Sequence, residues 1–134
     1  MIINYFAVAV AALVAMIVKT VWYSPMMFGA YWMRLRGHGA DAIKHMNVPA
    51  AGMLIELVCA LITAYVLAIF VTVFGAHTLY STLLLGVIIW VGFYLTPLLG
   101  EVAWEGKPFG LAMLSAGWRL INLVLMTAII GLWQ

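Results

Sequence analysis

Four long apolar runs, at about residues 3–27, 50–74, 80–99 and 109–133, occupy most of this 134-residue chain. Each is near the roughly 20 residues that a helix needs to cross about 30 Å of hydrocarbon. Charged residues make up 7% of the sequence and hydrophobic ones 68%. A soluble domain carries about 25% charged residues, because its surface must be hydrated. Lipid must therefore solvate most of this exterior. The expected fold is an all-α membrane protein, a four-transmembrane-helix bundle forming one domain over residues 1–134. A polar loop (Arg34 to Asn47), a short turn (Gly75-Ala76-His77) and a second polar loop (Gly100 to Pro108) join the runs. Connections this short pack sequential helices as antiparallel neighbours.

Orientation is read from lysine and arginine. Arg34, Arg36 and Lys44 lie in the first loop and Lys107 in the third, while neither end nor the second turn holds any. By the positive-inside rule, loops 28–49 and 100–108 are cytoplasmic and both termini lie on the opposite side. The start, Met1-Ile2-Ile3-Asn4, lacks the basic stretch of a cleaved signal peptide, so the first run is expected to stay as a helix. Cys59 is the sole cysteine, which excludes an intrachain disulfide. A net charge of +2 does not suit nucleic acid; the bilayer is the expected partner. Trp22, Tyr23, Tyr31, Trp32 and Trp104 cluster near the cytoplasmic boundary, where amphipathic rings meet headgroups.

Two pieces of the chain are alike. Ser24-Pro25 is followed by Trp32, and Thr96-Pro97 by Trp104 at the same interval. Leu54-Ile55-Glu56-Leu57-Val58 likewise matches Leu120-Ile121-Asn122-Leu123-Val124. A tandem repeat of two two-helix units would relate them about an axis along the membrane normal. Apolar stretches also match by chance, and both readings stand. In either, Pro25 and Pro97 are expected to bend or end their helices just before the loops.

Lys19, Glu56 and Arg119 fall inside the runs. Each costs roughly 2.5–3.5 kcal/mol at a helix centre, so such residues pair or line a cavity. At 1.5 Å per residue, all three lie roughly 9–15 Å below the cytoplasmic surface. Lys19 continues the small-residue stripe of Ala7, Ala11 and Ala15, a seam for close helix packing or self-association. Glu56 shares a face with Gly52, Cys59, Ala60 and Thr63, and Arg119 with Ser115 and Asn122. A Glu56–Arg119 bridge with Lys19 nearby is the expected arrangement. It would either glue helices together or serve a polar solute, proton or ion.

No motif for chemistry appears. The histidines lie in loops without metal-ligand spacing, and Glu101 and Glu105 share a loop with Lys107. Neither enzyme activity nor a metal or cofactor is expected.

The chain resembles the bacterial integral-membrane family called domain of unknown function 1761. The resemblance rests on Trp22-Tyr23-Ser24-Pro25, Phe28-Gly29, Trp32-Met33 and Ala64-Tyr65-Val66-Leu67. It continues through Trp90-Val91-Gly92-Phe93 and Trp104-Glu105-Gly106-Lys107-Pro108. It implies a four-helix integral membrane protein with no assigned activity; together with the lysine and arginine bias, the expected location is a bacterial inner membrane with periplasmic termini. The leading expectation is a structural or accessory component that self-associates or joins a larger membrane complex. The alternative is an oligomeric transporter or channel subunit moving an ion, proton or small polar solute past Glu56, Arg119 and Lys19. Reporter fusions after Ala76 and at the C-terminus should report the periplasm, and fusions near Gly39 and Glu105 the cytoplasm; equal signal from both sides at one loop would contradict a fixed orientation.

Overall fold

Asn4 opens the first helix by accepting a hydrogen bond from the Ala7 amide through its side-chain oxygen, at 3.2 Å, which satisfies one of the free amides of the first turn. In this computed structural model the described residues are 3–24, 27, 28, 31, 34 and 50–133. Pro25, Trp32 and most of the first polar loop lie outside them. Among the described residues, four helices are long and apolar enough to cross a membrane: α1 (Tyr5–Trp22), α2 (Ala50–Phe74), α3 (Leu79–Glu105) and α4 (Phe109–Leu132). Thr78 and Ser81 form a reciprocal cap at the start of α3.

Helix α3 departs from expectation twice. It runs on through Glu105, so the loop expected from Gly100 shrinks to residues 106–108. Gly106, at φ 68°, supplies the left-handed residue that ends the helix there. The Lys107 ammonium then reaches back 2.9 Å to the Glu101 carboxylate and braces the turn. Pro97 therefore does not end a helix. It lies inside α3, just after a π-helical turn at Val91–Leu95. Proline lacks an amide hydrogen, and its ring would strike the carbonyl four residues back in a regular helix. A widened turn upstream removes that conflict.

The helices pack around α4. It meets α1, α2 and α3, and α1 also packs on α2. Buried residues make up 44% of its spanning window, against 28%, 22% and 17% for α1, α2 and α3. The sequential pair α2 and α3 hardly approach each other, contrary to simple antiparallel neighbouring. Small residues make the tight contacts, as expected where lipid offers no hydrophobic drive between helices. Ala7, Ala11 and Ala15 are all buried, so the α1 stripe is spent inside the bundle and is not free for self-association. Gly52, in the first turn of α2, is only partly buried. At Gly86 of α3, an added Cβ would lie 2.9 Å from Thr127 Oγ1 and 3.1 Å from the Val124 Cα. The backbones there meet because no side chain intervenes. Thr127 Oγ1 lies 3.0 Å from the Thr82 carbonyl, and Trp90 Nε1 donates to the Ala116 carbonyl at 2.8 Å.

Overfilling a packed core costs about 1–3 kcal/mol. Ala11→Leu should therefore lower the unfolding midpoint in detergent, whereas Leu13→Ala, at an exposed position of the same helix, should change it little. Thermal scans of the two variants check this; an unaffected Ala11→Leu would place the stripe toward lipid.

Candidate functional site

The charged residues converge where α1, α2 and α4 meet. Lys19 lies near the end of α1, Glu56 in the second turn of α2, and Arg119 with Asn122 midway along α4. Their partners differ from expectation. Lys19 Nζ lies 3.0 Å from Glu56 Oε1, and Arg119 bridges no carboxylate among the described residues.

Side-chain direction explains the difference. A helical side chain leans toward the N-terminus of its helix, so the Arg119 side chain turns back one turn, where Nε donates to Ser115 Oγ at 3.2 Å. Its guanidinium then lies 4.7 Å from the Trp118 ring centre and 5.7 Å from that of Tyr94. The Lys19 ammonium also lies over Trp118, at 5.0 Å. A cation against an aromatic face gains about 0.5–2 kcal/mol. Trp118, 8% exposed, thus holds both cations, and Glu56 neutralises one of them.

Glu56, Arg119 and Asn122 line a cleft of about 120 Å³, together with Cys59, Thr63 and Tyr94. That volume accommodates several waters, since about 10–15 Å³ on this measure holds one. Asn122 Nδ2 donates to the Ala15 carbonyl at 3.2 Å. Its Oδ1 is buried with no hydrogen-bond partner among the described residues. Leaving a buried acceptor unsatisfied costs about 1–3 kcal/mol, so this oxygen is a place for a donor from a bound group. A second hollow, apolar and about 280 Å³, lies between α2 and α3 and shares Thr63, Tyr94 and Leu123 with the cleft.

The other expected residues are placed as follows. The Trp22 indole lies over Gly117 of α4, and Tyr23 meets Trp118 edge-on at 6.4 Å, so both turn inward. Trp104 stands 91% exposed in the last turn of α3. Glu101 is taken up by Lys107. The sequence reading missed Tyr94 and Trp118, although a tryptophan beside an intramembrane arginine is a readable sign of a stacked guanidinium.

The family model described as "Protein of unknown function (DUF1761)" matches residues 6–131. No curated protein and no solved structure matches the chain.

Breaking a fully buried ion pair costs about 3–5 kcal/mol. The Lys19 and Glu56 side chains are 34% and 40% exposed, so Lys19→Leu and Glu56→Leu should each cost about 1–3 kcal/mol by the same mechanism. The double replacement should regain much of the loss. In double-mutant cycles on unfolding in detergent, Glu56 should couple more strongly to Lys19 than to Arg119; the reverse order would restore the Glu56–Arg119 bridge.

Proposed function

We propose a function for this chain, which belongs to the DUF1761 family of proteins of unknown function, from the geometry of its own cleft. It is an integral membrane component that holds a small polar or anionic group inside the bilayer, without enzymatic chemistry. One observation carries this reading: among the described residues Arg119 has no acidic partner, yet it is fixed by Ser115, Trp118 and Tyr94 at the wall of a cleft. A pair that only glued helices would leave no such charge over. Intramembrane ionisable residues that face a cavity mark binding sites and solute routes. Four helices are too few for a wide pore, so movement of the bound group across the membrane would require an oligomer.

A second reading, an accessory subunit that joins a copy of itself or a larger complex, is favoured by the partial exposure of the Lys19–Glu56 pair. Charges at this depth that are not turned to water require cover by protein.

Cys59 separates the two. It is the sole cysteine of the chain, is exposed and lines the cleft. In proteoliposomes a membrane-impermeant, charged methanethiosulfonate should modify it, and glycerol phosphate should slow the reaction in the wild type but not in Arg119→Gln. Modification by a permeant maleimide alone would mean a dry protein contact, and the accessory reading would replace this one.

A further inference from the structure

We propose that the group held in the cleft is the headgroup of an anionic phospholipid, with its phosphodiester against Arg119 and one acyl chain laid in the hollow between α2 and α3. This rests on the binding function assigned to the cleft above and names its ligand.

The two hollows form one amphipathic site. They share Thr63, Tyr94 and Leu123; on one side of these residues lie Glu56, Arg119 and Asn122, and on the other Ile62, Val66, Phe70, Ile89 and Phe93. From Thr63 to Phe70 the apolar part descends along α2 for roughly 10 Å at 1.5 Å per residue, away from the charged end. The antiparallel α3 lines the same descent from Tyr94 to Ile89. Because α2 and α3 hardly approach each other, the hollow opens sideways to lipid, with Ile62 59%, Val66 41% and Phe93 71% exposed along its edge. A chain from the surrounding leaflet can enter without crossing the bundle.

Charge selects the headgroup. Among the described residues Glu56 of the cleft is paired with Lys19, which leaves the positive charge of Arg119 at the cleft wall without a carboxylate, and a phosphodiester carries one negative charge. The Arg119 side chain turns toward Ser115, the end of α4 that begins at Phe109, so it meets a phosphate dipping from that leaflet. Charge-assisted hydrogen bonds from a guanidinium to phosphate are among the stronger ones available. The buried Asn122 Oδ1 is an acceptor without a donor among the described residues. A headgroup with hydroxyls, as in phosphatidylglycerol, supplies that donor, and choline does not. A soluble anion would leave the apolar hollow without purpose.

The test uses the full chain purified in detergent free of anionic lipid, titrated with dioleoyl phosphatidylglycerol or dioleoyl phosphatidylcholine and read by native mass spectrometry. Phosphatidylglycerol should bind at least about tenfold tighter, the effect of one hydrogen bond to a charged group. Arg119→Gln should abolish the preference. Val66→Trp, at the exposed edge of the hollow, should weaken phosphatidylglycerol binding while glycerol phosphate still slows Cys59 labelling. Dihexanoyl phosphatidylglycerol should bind more weakly than the dioleoyl form, a comparison that needs no variant. Equal binding of the two dioleoyl lipids overturns the proposal. So does glycerol phosphate protection with no effect of chain length or Val66→Trp; the cleft then holds a soluble anion, and the binding function survives without the lipid. A dimer that excludes phosphatidylglycerol would give the hollow to a second copy and would also overturn it. If Cys59 is not labelled from water and no lipid is preferred, both readings fall.

Discussion

Close backbone approach to α4 is the contact on which the rest of the bundle depends. In hydrocarbon, one apolar surface gains nothing over lipid by touching another, so helices hold together through dispersion and hydrogen bonds at short range. The residues along α4 and its partners fit that demand. Ala112 and Ala116 on α4 face inward along with Ala7, Ala11, Ala15, Ala64 and Ala68 of α1 and α2, while Gly86 lets α3 touch the Val124 backbone. Polar groups in this core bond to backbone carbonyls, as Thr127 does to Thr82 and Asn122 to Ala15. Because the small residues fill the centre, the bulky charged side chains sit at its edge, where α1, α2 and α4 meet. The cleft follows from that displacement.

The sequence carried the spans well, because they depend on distance along a helix. Counting residues from the polar loops placed Lys19, Glu56 and Arg119 at one depth, and the structure brings Lys19 and Glu56 within 3.0 Å of each other and both Glu56 and Arg119 to one cleft. It did not carry which cation reaches the carboxylate. That choice depends on the lean of a side chain and on what it meets, and Arg119 meets Ser115, Trp118 and Tyr94. Stacking partners from another helix, such as Tyr94, leave no spacing signal. The end of α3 was misplaced for a related reason. Gly100 to Glu105 reads as polar loop by composition, yet these residues form the last helical turns, with the Glu101 side chain bent back to Lys107.

The repeat suggested by the two matching pentapeptides has a mixed standing in three dimensions. Their third residues, Glu56 and Asn122, line the same cleft. Trp22 and Tyr94, each two residues ahead of the matching Ser24 and Thr96, both lie against α4, over Gly117 and Arg119. A two-fold relation would equate the α1–α2 contact with α3–α4, and both are close. It would also equate α1–α4 with α3–α2. The first of these is tightly packed and the second stands open. Whatever its origin, the asymmetry creates the lateral opening beside the charged cleft.

The π turn in α3 makes that opening useful to the cleft. Before the turn, the buried residues of α3 recur at helical spacing: Thr82, Gly86, Ile89. Continued without interruption, that period would bring Phe93 and Pro97 inward. The wider turn at Val91–Leu95 delays the face by one residue. Phe93 is accordingly 71% exposed, Leu98 is buried, and Tyr94 is the residue over the Arg119 guanidinium. Thr96 Oγ1 donates to the Gly92 carbonyl at 2.9 Å within the same stretch. A single change of register thus leaves Pro97 exposed, while the widened turn relieves its conflict with the carbonyl four residues back, and it sets the Tyr94 ring against the Arg119 guanidinium. The backbone irregularity and the placing of Arg119, which bridges no carboxylate among the described residues, belong to one local arrangement around Pro97.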